Sequence, residues 1–441
     1  MADSSFIVLL FQLFKSNLVL IVFTFIIKHL LRNKYGSGIS HIPGPSLAAW
    51  TDLWRVNNVR KGKSHMTMIE LHKKYGKLVR TAPNVIDVSD AAEIPKIYDI
   101  KGAFYLILSV LWKGKAQMSL FSSRDQVYHR ELKRKAGNMY SMTSLLEMED
   151  SIDECTALFV KILGELADKG EAMDLGAWLQ YYAFDVIGEI SFNKKFGFLE
   201  KGGDLDDMMA TIDGILFYST VIGQVPYLHP FLLGNPLLPV FVPQVESWNH
   251  VVNFTVQAMK ARSDSGSPKK ETSKDMLSRC LSANLSEDDI LILLSTNVFA
   301  GSDTTAIALR STIYHLLKNP SCLSTVLEEL DANSHRLSSF ITYKESKDYL
   351  PYMNAALKEG MRVHPSVGLL LERYVPKGGA TICGAYIPEG TTVGINAWTV
   401  HFDEKVFEDP ESFRPERWLT RDEKKLAEME KSFFSFGAGS R

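Results

Sequence analysis

Asp303 stands among hydroxyls in Ala300-Gly301-Ser302-Asp303-Thr304-Thr305, at the centre of an otherwise apolar stretch. A carboxylate buried beside hydroxyls is costly unless it has partners, and such a group is equipped to pass protons. Gly301 removes a side chain at about 1 kcal/mol of helix propensity relative to alanine. That fits a place where a ligand comes close to the backbone. The competing reading is a helix bend in which serine and threonine bond back to carbonyls of the preceding turn. Downstream, Glu359-Gly360-Met361-Arg362 puts a carboxylate and a guanidinium three apart on one helical face, which by itself is usually a surface pair. Phe413-Arg414-Pro415-Glu416-Arg417-Trp418 supplies a second guanidinium in an aromatic setting. If Arg417 closes on Glu359 and Arg362, the three form a buried charge network that fixes an irregular loop.

These residues need rigid elements to hold them. Asn284-Leu285-Ser286-Glu287-Asp288-Asp289 opens the clearest helix, with Ser286 as its cap and early carboxylates at the positive end of the dipole. It is predicted to run from Glu287 to Lys318, before Asn319-Pro320, a length of about 48 Å. Apolar residues on nearly every face, among them Leu291, Leu294, Val298, Ile307, Leu309 and Leu316, place it inside a domain. A second helix is predicted from Pro351 to about Val363. Gly368–Val375, Ala380–Ile387 and Thr392–Ala397 read as short strands between glycine and proline turns. From Asp52 to about Lys318 the patterns are mainly helical, clearest in Thr143–Glu165 and Met173–Asn193. Val225–Val245, with five prolines, cannot be one helix; it is either a packed loop or an apolar loop at a membrane or substrate entrance. Lys260–Asp275 reads as a solvated connector.

The chain has 441 residues, 46% of them hydrophobic and 23% charged, with a net charge of −2. It is globular rather than disordered, and its charge gives no case for nucleic-acid binding. Cys155, Cys280, Cys322 and Cys383 form no C-x-x-C pair, which argues against a disulfide framework or zinc site. Phe6–Leu31 is mostly apolar, broken by Lys15-Ser16-Asn17, and as a helix would reach about 39 Å. Lys28, His29, Arg32 and Lys34 follow it, so the basic side and the large domain are expected in the cytosol. A buried core helix is the alternative; a cleaved signal peptide lacks its basic leader. The expected organisation is a membrane anchor over 1–34, a proline-containing hinge over 35–45 and one domain over 46–441.

The chain ends Phe433-Phe434-Ser435-Phe436-Gly437-Ala438-Gly439-Ser440-Arg441. Phe436, Gly439 and Arg441 fit the opening of F-x-x-G-x-R-x-C-x-G, the haem-ligand loop of the cytochromes P450. An acid-threonine helix, E-x-x-R, P-E-R-W and F-x-x-G-x-R follow in that order and at matching spacings over nearly the whole chain. The chain therefore resembles a cytochrome P450. Ile42-Pro43-Gly44-Pro45, Tyr128-His129 and Phe434-Ser435-Phe436-Gly437 look most like fungal microsomal members, of the pisatin-demethylase-like or benzoate-hydroxylase-like groups. The resemblance implies a mainly α fold with a smaller β region.

It also implies roles. Asp303 and Thr304 match the pair that delivers protons during oxygen activation, and Ala300 and Gly301 match the bend where oxygen sits. Glu359, Arg362 and Arg417 match a structural charge triad. Arg373 and Arg441 match arginines that bind haem propionates. Val367–Leu370 matches a substrate-facing strand, with Val367 and Leu369 facing substrate and Phe299 doing so from the helix. Phe436 belongs to the haem loop. Where many members carry W-x-x-x-R, this chain offers His129 and Lys133, with Arg134 adjacent, and lysine lacks the planar fork. The implied cofactor is haem b; the implied partners are an NADPH–cytochrome P450 reductase, a small lipophilic substrate and the endoplasmic reticulum membrane. Arg421–Lys431 reads as a solvated loop or as part of a reductase-docking face. Gly437-Ala438-Gly439 as half of a dinucleotide loop lacks the strand-loop-helix unit it needs. The pattern's cysteine would fall two residues past Arg441, so no metal ligand is assigned within the chain. Two readings follow: a monooxygenase polypeptide of fungal secondary metabolism that is inactive as written, or a non-catalytic, membrane-anchored relic that binds a lipophile or a partner.

Overall fold

The apolar N-terminal stretch folds into one helix, α1 (Ser4–Tyr35), which continues through Lys15-Ser16-Asn17. The computed structural model describes residues 4–99, 110–112, 115–121, 123, 125–232, 249–264 and 274–439. Arg441, residues 233–245 of the proline-rich segment and residues 265–273 of the charged connector lie outside the described residues. The chain divides into a smaller unit, Met1–Gly102 with Leu370–Asn396, and a larger one, Ala103–Leu369 with Ala397–Arg441.

In the smaller unit α1 is followed by α2 (Leu53–Arg60), α3 (Ser64–Tyr75), β1 (Leu78–Ala82), β2 (Val85–Val88) and α4 (Ile94–Asp99). Its later segment adds β3 (Arg373–Tyr374), β4 (Ala380–Ile382), β5 (Ala385–Ile387) and β6 (Thr392–Ile395). Four strands make one sheet in the order β1-β2-β6-β3, and β4 pairs with β5 as a separate hairpin. β1–β2 and β3–β6 are antiparallel, while β2–β6 is parallel with Asp87 opposite Gly394. Every residue of β1, β2 and β6 is buried, so none shows the alternation of a half-exposed strand. A Cβ on Gly394 would lie 2.7 Å from the Leu371 carbonyl, which explains the glycine there. The run from Asp52 to Lys318 is mainly helical as expected, interrupted by β1, β2 and a short hairpin at 110–112 and 115–117. The strands expected over 368–397 are present but shorter.

Arg80 joins α1 to this sheet. It is 2% exposed, and its guanidinium donates to the carbonyls of Asn33 (2.6 Å), Lys34 (2.9 Å) and Pro83 (2.6 Å). The last carbonyls of a helix have no partner within it; here a buried fork from β1 supplies one for two of them. Leu18–Ile27 of α1 leave their apolar side chains largely in solvent.

The larger unit includes α5 (Gln126–Ala136), α6 (Glu149–Asp168), α7 (Leu175–Phe192), α8 (Met208–Ile222), α9 (Glu287–Lys318), α10 (Pro320–Asn333), α11 (Pro351–Val363), α12 (Ala397–His401) and α13 (Glu423–Ser432), with further helices between, among them Asn249–Asp264. α9 has the bounds that its caps predict: Ser286 accepts from the Asp289 amide at 3.1 Å, and Asn319-Pro320 stops the far end. Its first half packs into a core of Phe184, Phe192, Phe198, Leu277, Leu285 and Leu293, and it lies against α7 and α11. α9 has the length and hydropathy to cross a membrane, but half of that stretch is buried within the unit. It is a core helix.

Replacing Arg80 by leucine leaves the Asn33 and Lys34 carbonyls short of donors, at about 1–3 kcal/mol for each buried group left unpaired. Limited proteolysis is expected to cut around residues 33–38 faster in Arg80→Leu, with Arg80→Lys intermediate because it lacks the fork.

Candidate active site

The middle of α9 changes character at Ala300. Ser302 and Ala306 stay buried, while Ala300, Thr304 and Thr305 are exposed. One strip of the helix, a turn apart, thus opens to solvent in the midst of a core element. The Thr304 hydroxyl donates to the Ala300 carbonyl at 2.7 Å, and the Ser302 hydroxyl to Val298 at 2.8 Å. Both hydroxyls back-bond as the bend reading expected. Gly301 faces elsewhere: a Cβ there would meet Ile187 of α7 at 3.1 Å, so the glycine lets the two helices approach. The Ser366 hydroxyl donates to the Thr304 carbonyl at 3.0 Å and brings Val367, 41% exposed, alongside. Leu369 is half-buried. Phe299 is half-buried and packs on the core cluster.

Asp303 is held by residues that the sequence did not single out. Gln180 of α7, itself 5% exposed, donates its amide to Asp303 Oδ1 at 3.4 Å. Arg310 donates to Gln180 Oε1 at 2.7 Å and to the Gly176 carbonyl at 2.8 Å. A guanidinium can only donate, so it fixes which end of the Gln180 amide faces Asp303. Burial, then the charge of Asp213 on α8, raises the Asp303 pKa; Arg310 pulls the other way. The one sequence signal for this network is the seven-residue step from Asp303 to Arg310, which returns to the same helical face.

Below this strip lies the buried charge network. Arg362 grips Glu359 with both ends of its fork, Nε to Oε2 at 2.9 Å and a terminal nitrogen to Oε1 at 2.8 Å. Arg417 Nε reaches Oε1 at 2.9 Å, the Trp418 indole donates to Oε2 at 2.9 Å and the Arg414 amide to Oε1 at 3.1 Å. Glu359 and Arg362 are 0% exposed. Burial pushes the Glu359 carboxyl up, but the bonds and charges of Arg362, then the charge of Arg417, outweigh it and leave it below the ordinary value. The guanidiniums also reach backbone carbonyls: Arg362 donates to those of His401 and Ser412, and Arg417 to those of Glu408, Asp409 and Ser412. After α13 the chain turns through Phe433–Gly439. Phe436 is 80% exposed, and Gly437 and Gly439 have φ of +69° and +86°, a region that favours glycine.

A profile of the family described as Cytochrome P450 matches residues 43–441. The chain belongs to the cytochrome P450 family. It is 40% identical over 419 residues to cytochrome P450 monooxygenase cicH of Emericella nidulans, covering 91% of this chain and 83% of that one. A cytochrome P450 monooxygenase of Aspergillus terreus is 36% identical over 445 residues, with 95% and 88% covered. A pisatin demethylase of Fusarium vanettenii is 34% identical over 415 residues, with 92% and 79% covered. The P450 fold, mainly helical with small sheets, is what the chain adopts.

The other residues that the P450 resemblance singled out are placed as follows. His129 is buried on α5, and Lys133, one turn later, is exposed. Arg373, in the smaller unit, is 3% exposed, donates to the Glu372 carbonyl at 2.8 Å and lies 4.8 Å from the Tyr98 ring centre. Cys155, Cys280 and Cys322 are buried and Cys383 is partly so; burial pushes the thiols of Cys155, Cys280 and Cys383 up to about 12. Within the larger unit, Ala300, Val367 and Phe436 are exposed apolar groups, which suit in kind the flat face of a haem.

Two results are expected. Glu359→Ala strands two guanidiniums and is expected to cost about 3–5 kcal/mol in denaturant unfolding, against about 1 kcal/mol for Trp418→Phe, which removes one bond. A carboxyl with a raised folded-state pKa favours the native state at low pH and loses that contribution as pH rises through its folded value. Asp303→Asn is therefore expected to gain stability relative to the parent as pH rises to neutrality, and to lose that gain in acid, in melts recorded across pH.

Proposed function

We propose that this P450 is a haem-dependent monooxygenase of fungal secondary metabolism that hydroxylates or otherwise oxidises a small lipophilic molecule. Electrons come from NADPH through a cytochrome P450 reductase, at the endoplasmic reticulum membrane. Residues 1–34 anchor the chain, 35–45 act as hinge, and 46–441 form the cytosolic domain. The observation that carries the reading is the open strip at Ala300 and Thr304 in the centre of a core helix, with Asp303 behind it and Val367 beside it.

Haem b, when bound, supplies the activation of dioxygen and the transfer of one oxygen atom. The chain's own residues do the rest. By the family resemblance His129, Lys133, Arg373 and Arg441 would hold its carboxylates, and Ala300 and Phe436 would take its apolar face, while Gly301 lets α9 approach α7. Burial, then the charge of Asp213, strengthens the hold of the Asp303 carboxyl on a proton, against the pull of Arg310. Thr304 passes a proton from Oγ1 when that hydroxyl turns from the Ala300 carbonyl. Phe299, Val367 and Leu369 contact the lipophilic substrate. Glu359, Arg362 and Arg417 act structurally. The apolar exposure of Leu18–Ile27 supports the anchor.

The thiolate ligand of the family falls at the second position after Arg441, and buried, protonated thiols at Cys155, Cys280 and Cys383 do not replace it. A polypeptide of residues 1–441 is expected to give no thiolate-haem band in its reduced carbon-monoxide spectrum. A polypeptide that continues through a cysteine at that position is expected to give the band and, with reductase and NADPH, to oxidise substrate. In that longer polypeptide Thr304→Ala is expected to consume NADPH with about tenfold less product per NADPH, the low end of an acid–base contribution. Failure of the longer polypeptide to bind haem favours the non-catalytic lipophile-binding relic; a thiolate band from residues 1–441 overturns the role of the loop.

A further inference from the structure

His401, the last residue of α12, is 0% exposed; its carbonyl accepts from Arg362, but its ring belongs to neither the proton nor the charge network above. Its two ring nitrogens meet two different backbone groups. Nε2 lies 2.8 Å from the Phe434 amide, and Nδ1 lies 3.0 Å from the Arg362 carbonyl. An amide N–H can only donate, so Nε2 carries a lone pair. A carbonyl can only accept, so Nδ1 carries the hydrogen. The neighbours thus select one neutral tautomer out of three protonation states.

The contact with Arg362 is reciprocal. The Arg362 guanidinium donates to the His401 carbonyl at 2.9 Å while the His401 ring donates to the Arg362 carbonyl. On the other side the Phe433 ring stacks on the imidazole, centroids 5.5 Å apart and planes 8° from parallel. One residue further, the Ser435 hydroxyl donates to the Met361 carbonyl at 3.1 Å. Two successive carbonyls at the end of α11, where helices lack internal donors, are therefore tied to the Phe433–Phe436 segment. His401 makes one tie and Ser435 the other.

We propose that His401 is a positioning residue: a neutral imidazole, hydrogen on Nδ1, that carries the register of the buried Glu359–Arg362 pair to the Phe433–Phe436 loop. The proposal rests on the P450 reading only for what that loop holds; the bonds themselves do not depend on it. Protonation would oppose the Phe434 N–H with a second donor and add a charge beside Arg362. Burial, and after it the Arg362 charge, depress the pKa to about 3, while the bond to the Arg362 carbonyl acts against them. The charged groups nearest the ring are Arg362, with Glu359 bound to it, and the Lys358–Glu430 pair, whose lysine lies 5.2 Å from the centre of the Phe433 ring. None of them offers the ring a carboxylate of its own.

The test uses the full chain in detergent or nanodiscs, with ¹⁵N-labelled histidine. Two-bond ¹H–¹⁵N spectra are expected to show one histidine as the Nδ1–H tautomer, unchanged from about pH 5 to 8, the span in which an ordinary histidine titrates, and missing in His401→Gln. An Nε2–H tautomer, or titration in that span, overturns the proposal. Hydrogen exchange supplies a second arm. His401→Phe keeps a ring against Phe433 but loses both bonds, and is expected to speed exchange at Phe434–Gly437 about tenfold or more while the α11 amides stay protected. His401→Gln, which retains an acceptor for the Phe434 amide, is expected to recover part of that protection. Parent-like exchange at Phe434 in His401→Phe overturns the proposal, and if that variant does not fold, the tautomer in the parent chain decides. Neither readout involves haem or turnover, so their failure leaves the monooxygenase reading standing, and failed haem binding leaves His401 in place.

Discussion

A carboxylate with no exposed surface is the constraint around which the larger unit is arranged. Glu359 is viable there only because two guanidiniums, an indole and a backbone amide converge on it. Removing charges from water is expensive, and the attraction between them returns that cost only when geometry is good and the remaining donors are satisfied. The remaining donors decide what the network does. Each arginine spends its spare nitrogens on carbonyls of irregular chain between His401 and Ser412. Such chain has no helix or strand partners of its own. The charge network gives it a defined shape, and replacing the network by apolar residues of equal volume would fill the space without doing so.

The same constraint bears on α9 by a different route. Ser311 of α9 donates to the Gly360 carbonyl of α11, and Thr312 lies so close to Gly360 that a Cβ there would sit 2.3 Å from its hydroxyl. The helix that bears Glu359 and the helix that bears Asp303 are thereby locked at close range, as Gly301 locks α9 against Ile187 of α7. Close backbone approach on two sides removes the freedom of α9 to shift. That rigidity is what lets one turn of it, at Ala300–Thr304, remain open and polar. An exposed strip on a loosely held helix would close by collapse of its neighbours.

Much of this was legible in the sequence, and the limits have physical causes. The bounds of α9 were readable because caps are local: a serine, three acids and a terminal Asn-Pro act within a few residues. The triad was readable as residue types in order, though only the fold shows that Trp418 and the Arg414 amide complete it. β1 and β2 were missed because both are buried throughout, so no alternation marks them. Pro83-Asn84 between Leu78–Ala82 and the valine- and isoleucine-rich Val85–Val88 was the available signal. The parallel partner of β2 comes some 300 residues later, a pairing no local pattern encodes. Gln180 was invisible for the same reason, since its role exists only where α7 crosses α9.

Arg80 and His401 show what kind of residue sequence reading misses most readily. Each is a polar side chain buried to satisfy backbone carbonyls at the end of a helix, Arg80 for α1 and His401 for α11. Neither sits in a cluster of chemical groups, and neither has a charged partner to draw attention. A helix end inside a protein must find donors from elsewhere in the chain, so a buried polar residue distant in sequence is a direct consequence of ending a helix there. The demand can be read from where helices stop; the residue that meets it cannot be named until the fold brings it near. In this chain those two answers hold the N-terminal helix to its sheet and the final loop to the charge network, the two places where a regular element gives way to chain that must still keep a fixed path.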